Sequence, residues 1–455
     1  MIGECARVYS IVALALAAIF SLSAPPASAQ NSAVTAIVGG QLIDGNEGPP
    51  LHESVVLIQG KKITAVGREG EIQIPAGAKI IDAHGMTVMP GLIDMHVHLD
   101  LIGAGNFGTW FPYMQDSRER ARQVMKISLH EIFMGGVTTI RDMGGPTDDL
   151  LALRDAVNSG KETGPRMFVT GAYISRICGN PAWKQALLNC SLVHSTEEAR
   201  EEAKKRIAAG TDWVKAWIGL TAEDEKAIAE EAHKAGKKVG AHGTTDAEIR
   251  AGLAAPVDSL EHVGSSDWGS VSPELIHALA QSDIWISPTM ISSYRFKLAD
   301  GFPEGVDSQQ LKADLPPDLY RFVHDSVSDP DRLRRGIFSD IPQRLRVNPE
   351  SWRELLRSGV AGHIVLGTDS GTPMNWHFDS ARNKMKLFVQ FGMTPLQAIS
   401  AGTRLPAVAL GKGDEFGTIE PGKSADILVI DGNPLEDMAD LKNLVHIFKE
   451  GTQYK

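Results

Sequence analysis

Val88-Met89-Pro90-Gly91-Leu92-Ile93-Asp94-Met95-His96-Val97-His98 reads as one buried apolar strand that ends on two histidines. In an extended chain, side chains two positions apart point to the same face. His96 and His98 are therefore presented together at a strand end, and two imidazoles on one side suit a zinc-like ion. The spacing alone is common, so its weight depends on what lies around it.

Outward from this stretch, short apolar runs alternate with helical patterns, the signature of a parallel α/β architecture. Further strands are expected at Val137–Asp142, Met167–Ala172, Trp213–Ile218, Lys238–His242, Ser259–His262, Ile284–Pro288 and Ile364–Asp369. Helices are expected between most of them, including Thr196–Ala209, with Glu197 and Glu198 in its first turn, and Ala222–Ala235. Eight strand–helix units make a TIM (β/α)8 barrel, whose chemistry sits at the C-terminal ends of the strands. A β-rich stretch precedes the barrel (Thr35 to Ile43, Ser54 to Gln59, Lys62 to Val66, Lys79 to Asp82) and another follows it (Ser424 to Ile430, Leu444 to Glu450). Neither has enough strands to stand alone, so the two ends, 30–87 and 410–455, are expected to combine into a composite β-sandwich beside a barrel spanning 88–409. A proline-rich segment, about 291–357, falls between the seventh and eighth strands, where an insert over the active-site mouth is expected.

Composition sets the remaining bounds. An apolar share of 43% with 22% charged residues is that of an ordinary globular protein. The net charge of -11 argues against nucleic-acid binding by bulk electrostatics. The local cluster Arg332, Arg334, Arg335, Arg344 and Arg346 is flanked by acids and reads as a solvated helical face. The run Ile11 to Leu22 falls short of the ~20 residues that span a bilayer. It leads to Ala27-Ser28-Ala29, a signal-peptide cleavage pattern, so residues 1–29 are read as a signal peptide and the mature protein as periplasmic or secreted. Cys5 would leave with it. Cys178 and Cys190 remain, and in an oxidising compartment they are expected to pair.

Other reactive residues fall at the ends of later strands. Lys215 interrupts the apolar run Trp213-Val214-Lys215-Ala216-Trp217. A buried ammonium is costly without a partner, so Lys215 is either ion-paired inside the barrel or converted by carbon dioxide to a carbamate able to bridge two cations. His242 ends Val239-Gly240-Ala241-His242, His262 ends Ser259-Leu260-Glu261-His262, and Asp369 ends Ile364-Val365-Leu366-Gly367-Thr368-Asp369. Each alone is ordinary; six at the ends of five strands are not. Arg141 and Tyr173 end the second and third strands and could meet a substrate carboxylate or carbonyl. For Arg141 a salt bridge to a neighbouring acid is the alternative, and for Tyr173 core packing. His194 and His377 read as surface loop histidines. Of Trp110, Trp183, Trp217 and Trp376, some could line an apolar pocket and the rest fill the core.

Taken together these motifs resemble the amidohydrolase superfamily. Pro90-Gly91-Leu92-Ile93-Asp94-Met95-His96-Val97-His98 is similar to its opening motif, and Gly417-Thr418-Ile419-Glu420-Pro421-Gly422-Lys423-Ser424-Ala425-Asp426 to its closing one. Gly136-Val137-Thr138-Thr139-Ile140-Arg141-Asp142 and the Val214-Lys215 strand resemble the imidazolonepropionase-like and prolidase-like branch. The resemblance implies two divalent ions, zinc foremost: His96, His98 and Asp369 on one, His242 and His262 on the other, with carboxylated Lys215 between. It also implies hydrolysis of an amide bond in a small N-acyl amino acid, dipeptide or aryl amide by metal-activated hydroxide, with Asp369 as the proton-carrying catalytic residue. A mononuclear deaminase or imidazolonepropionase-type ring hydrolase is the alternative, and a non-catalytic barrel protein the alternative of another class. The Gly-His-Gly-rich segment common in dipeptidase-like relatives is replaced here by Ile174-Ser175-Arg176-Ile177-Cys178-Gly179-Asn180-Pro181. The expected partner is a small-molecule substrate, with no nucleic acid, no membrane after signal cleavage, and room for a homo-oligomer.

Overall fold

A computed structural model describes residues 33–105, 107–178, 189–264, 271–291, 294, 308–328 and 341–455. The expected signal peptide, Trp183, the arginines Arg332, Arg334 and Arg335, and parts of the 291–357 insert lie outside them.

The first described segment opens with a series of strands: β1 (Val34–Leu42), β2 (Leu51–Gln59), β3 (Lys62–Arg68), β4 (Lys79–Asp82) and β5 (Thr87–Pro90). The last segment adds β15 (Ile427–Ile430), β16 (Leu444–Lys449) and β17 (Thr452–Gln453). All eight belong to one hydrogen-bonded sheet, ordered β17-β16-β15-β5-β1-β2-β3, with β4 paired to β1. The two chain ends meet where β15 runs antiparallel to β5. Ile37, Val56, Ile58, Ile427, Val429 and Phe448 fill a common core there, which neither end could bury alone.

The long opening strand expected at 88–98 is two strands. β5 belongs to the terminal sheet, and β6 (Leu92–Val97) begins the parallel strands. The break falls at Gly91, whose N–H turns to Asp426 O at 2.9 Å. Any side chain at Gly91 would collide with Thr138, so the chain crosses between the two layers at a residue with no Cβ.

Beyond β6 the parallel strands are β7 (Val137–Asp142), β8 (Arg166–Val169), β9 (Tyr173–Ser175), β10 (Cys190–Leu192), β11 (Trp213–Ala216), β12 (Lys238–His242), β13 (Ser259–Glu261) and β14 (Trp285–Ser287). They form two parallel sheets, β6-β7-β8 and β10-β9-β11-β12-β13-β14. The eighth expected strand, 364–369, forms no ladder and is marked by isolated bridges, Ile286 with Ile364 and Val97 with Ser370. The reason is where its amides go. Val365 N–H bonds to Ile286 O on β14, but Leu366 N–H donates to Ala401 O and Thr368 N–H to the Asp94 carboxylate. The segment still ties β14 to β6, since Leu366 O accepts from Met95 N–H and Asp369 N–H donates to His96 O.

Helices pack between the strands. Thr196–Ala209 is capped by Ser195, and Ala222–Lys234 begins with a full capping box of Thr221 and Asp224. The insert contributes helices Gln309–Asp314, Pro317–Val327 and Ile341–Arg357. Among the described residues no helix is long and apolar enough to cross a membrane. Cys178 and Cys190 are joined as a disulfide, with Cα atoms 5.6 Å apart.

Candidate metal centre

The parallel strands deliver their reactive side chains to one end. His96 lies within β6 and His98 one residue beyond it; Lys215 lies in β11, His242 ends β12, and His262 follows β13. The 364–370 segment supplies Asp369. One ligand atom each from His96, His98 and Asp369 falls within 4.8 Å of the others, a grouping able to hold a metal ion. Asp369 Oδ1 is 3.2 Å from His98 Nε2 and 3.6 Å from His96 Nε2. His262 joins the group, its ring centroid 4.7 Å from His96 and 4.5 Å from His242. His262 and Asp369 both adopt positive φ, 69° and 58°. For a residue with a Cβ this costs ~1 kcal/mol or more, and such strain concentrates at functional sites.

Outer contacts orient each ring. His96 Nδ1 is 2.8 Å from Glu261 Oε2, and His98 Nδ1 donates to Gly144 O at 3.0 Å. His262 Nδ1 lies 2.7 Å from the Thr289 hydroxyl and His242 Nε2 2.8 Å from that of Thr244. One nitrogen of each ring is thereby engaged and the other left for the centre, the usual arrangement around metal-binding imidazoles. Asp94 braces the same place, accepting from His96 N–H and Thr368 N–H at 3.1 Å each and from the Thr368 hydroxyl at 2.6 Å.

Of the buried nitrogens that lack a hydrogen-bond partner among the described residues, two belong to this centre: Lys215 Nζ and His242 Nδ1. Burial pulls the Lys215 amine down to about 8, with Glu261 opposing. Burial also holds His242 and His262 well below the ordinary histidine range and His96 at about 4, so these rings are neutral and able to ligate. His98 is the exception. Burial would lower it, but its bond to the Asp369 carboxylate wins and lifts it to about 9. A proton there occupies the place where a cation would compete for the same two groups.

Arg141 takes one of its two expected roles. It is fully buried, and its guanidinium donates to Met95 O, Ser259 Oγ and Glu261 Oε1 at 2.7, 2.9 and 2.7 Å. It is the salt-bridge alternative that the structure holds, because Glu261 stands between it and His96. Tyr173 lines the centre: its hydroxyl is 3.3 Å from His98 Nδ1 and its ring stacks on Trp217. His377 is not a surface residue. It is buried, donating from Nε2 to Leu101 O, with Nδ1 2.8 Å from Ser370 Oγ. His194 is exposed as expected, and Trp110 and Trp376 are core. Glu261 and Asp94 went unnoticed in the sequence; the only signal was a carboxylate next to, or two residues before, a histidine at a strand end.

Buried imidazoles converging on one carboxylate, with an amine among them, define a metal-dependent hydrolase, and its bond is C–N. The chain belongs to the amidohydrolase family, whose model matches residues 87–453. It is 25% identical over 480 aligned residues to an ochratoxinase of Aspergillus niger, covering 94% of this chain and 88% of that one. An enamidase of Eubacterium barkeri is 25% identical over 409 residues, covering 88% and 87%. Among solved structures, a Xaa-Pro dipeptidase with methionine bound in its active site matches with a TM-score of 0.72 and 26% identity, over 93% of this chain and 100% of that one. Family and neighbours imply a TIM barrel with a smaller companion domain.

Proposed function

We propose that this chain is an exported, binuclear amidohydrolase that cleaves the amide bond of a small N-acyl amino acid, dipeptide or aryl amide. The observation that carries the reading is Lys215: a fully buried amine with no hydrogen-bond partner, within electrostatic reach of His96, His242 and His262. An uncompensated buried ammonium is expensive, and an amine lowered to about 8 is partly free base near neutrality. Its lone pair can add to carbon dioxide, forming an N–C bond and releasing one proton, to give a carbamate. That product turns an orphaned cation into an anionic ligand.

The donor set fits two divalent ions. His96, His98 and Asp369 would hold one, His242 and His262 the other, and the Lys215 carbamate would bridge them. Imidazole and carboxylate donors suit zinc, and ions so held supply an activated water and polarise the substrate carbonyl. Asp369 takes the proton from the attacking water and passes it to the leaving nitrogen. Tyr173 presents its hydroxyl beside His98, where a substrate carbonyl or carboxylate can accept from it.

The architecture proposed around this site is an eight-stranded barrel of residues 88–409, closed through 364–370, beside a composite β-sandwich of residues 30–87 and 410–455. The Cys178–Cys190 bond supports export, since such bonds persist in oxidising compartments. The names of the relatives, an enamidase and a Xaa-Pro dipeptidase among them, support an amide substrate.

The test is metal analysis paired with a substrate screen on protein prepared with zinc and bicarbonate. Near two ions per chain, turnover of amides, and loss of both in Lys215→Ala are expected. One ion per chain would favour the mononuclear reading, and full activity in Lys215→Ala would remove the carbamate.

A further inference from the structure

The loop that leaves β6 carries a carboxylate to which the hydrolytic scheme gives no work. Asp100 is only 7% exposed. Its Oδ2 accepts a bond of 2.6 Å from Asn189 Nδ2, while its Oδ1 is buried with no partner. Leaving one oxygen of a buried carboxylate unsatisfied is costly unless something donates to it.

Its surroundings place that carboxyl beside the turn that holds His98 and Tyr173. A Cβ added at Gly145 would lie 3.7 Å from the Asp100 carboxyl carbon, and one at Gly144 would run into the Tyr173 ring. Gly144 O in turn accepts from His98 Nδ1. Asp100, Tyr173 and His98 thus surround one two-glycine turn, which approaches them closely because it has no side chains. The far wall is fixed as well: Asn189 O accepts from Tyr173 N–H, and the next residue, Cys190, is tied to Cys178. One oxygen of the carboxylate is thus held by a fixed residue, while the other is buried and unpartnered.

We infer that Asp100 is the specificity determinant for a protonated amine on the substrate, its free Oδ1 accepting from that ammonium. The inference rests on the amide-hydrolase reading above and narrows it, favouring a dipeptide-like substrate with a free amino group over an N-acylated one. An anionic acceptor with one oxygen already anchored recognises a cationic nitrogen better than a neutral one.

Two measurements on the metal-loaded full chain test it. The first compares a dipeptide with its N-acetyl counterpart. Wild type should favour the free amine by about tenfold or more in kcat/KM, and Asp100→Asn should bring that ratio close to one. A ratio that survives within twofold in the variant overturns the inference. The second needs no turnover and no variant: calorimetric binding of L-methionine against its des-amino acid. Tighter binding of the amino acid by about tenfold or more supports the inference; equal binding, or none of either, overturns it. If neither peptide is hydrolysed while the amino acid is still preferred, the amide reading fails and the amine site stands.

Discussion

Glu261 is the residue on which the centre's internal charges turn. One oxygen meets His96 Nδ1; the other takes Arg141 and the Ser259 hydroxyl. Burial alone would raise this acid, but the Arg141 guanidinium, with His96, outweighs it and holds the carboxyl far below the usual range. Glu261→Gln would keep the shape and remove the charge, leaving Arg141 buried and uncompensated. The expected cost is about 3–5 kcal/mol of stability, read by urea denaturation, with metal affinity down by about 10–100-fold because His96 loses its anchor. Asp369→Asn should act differently, retaining most of the metal while kcat falls by about 10^2–10^4-fold. Equal loss of metal and rate in that variant would make Asp369 a ligand and nothing more. The candidate donors could be picked out in sequence because each falls at or near a strand end in a recognisable run. Glu261 was not, because its partners His96 and Arg141 are far off in sequence, and a single chain does not say which strands face each other.

Elements repeat this division between local and distant information. The helix Thr196–Ala209 could be read to its last residue, since its cap and first-turn acids are adjacent in sequence. The break at Gly91 and the broken ladder of 364–370 could not, because Thr138, Asp426, Ala401 and Asp94 decide them from elsewhere. The helix Ala222–Lys234 shows both kinds of information at one residue. Asp224 closes its capping box, and it also grips Arg176, beyond β9, through two bonds of 2.6 and 2.9 Å. Burial would raise Asp224, but Arg176 and its other donors prevail and bring it to about 2, below its ordinary value of 3.8. A depressed carboxyl stabilises the fold above its unfolded pKa and loses that contribution as pH falls through the folded one. Asp224→Asn should therefore cost about 1–3 kcal/mol at neutral pH. The gap from wild type should close as pH drops from about 4 to about 2. Acid unfolding curves of the two proteins check this; a gap that stays constant to pH 2 would show that Asp224 acts by shape and not by charge.

At the scale of the whole molecule, the terminal sheet is fastened to the layer that carries the site. Arg166 in β8 bonds Asp426 at 2.9 Å and lies 3.3 Å from Glu450, and its guanidinium covers the Phe416 ring. β5, continuous with β6 through Gly91, brings the terminal sheet to within a few residues of His96. The expected metal donors come from β6, β11, β12, β13 and the 364–370 segment, so an ion bound among them would close the ring from within as the terminal sheet holds it from outside. Binding to the folded chain alone adds stability by mass action, about 4 kcal/mol when free metal is a thousand times its Kd. Dialysis against a chelator should accordingly lower the melting temperature by several degrees, and zinc with bicarbonate should restore it. In Lys215→Ala the restoration should be partial, because one donor common to both ions is gone. A melting temperature indifferent to metal, in protein shown by analysis to have lost it, would mean that the strands hold their ligands in place unaided. The strain at His262 and Asp369 would then be sustained by packing alone, and the ions would serve chemistry without serving the fold.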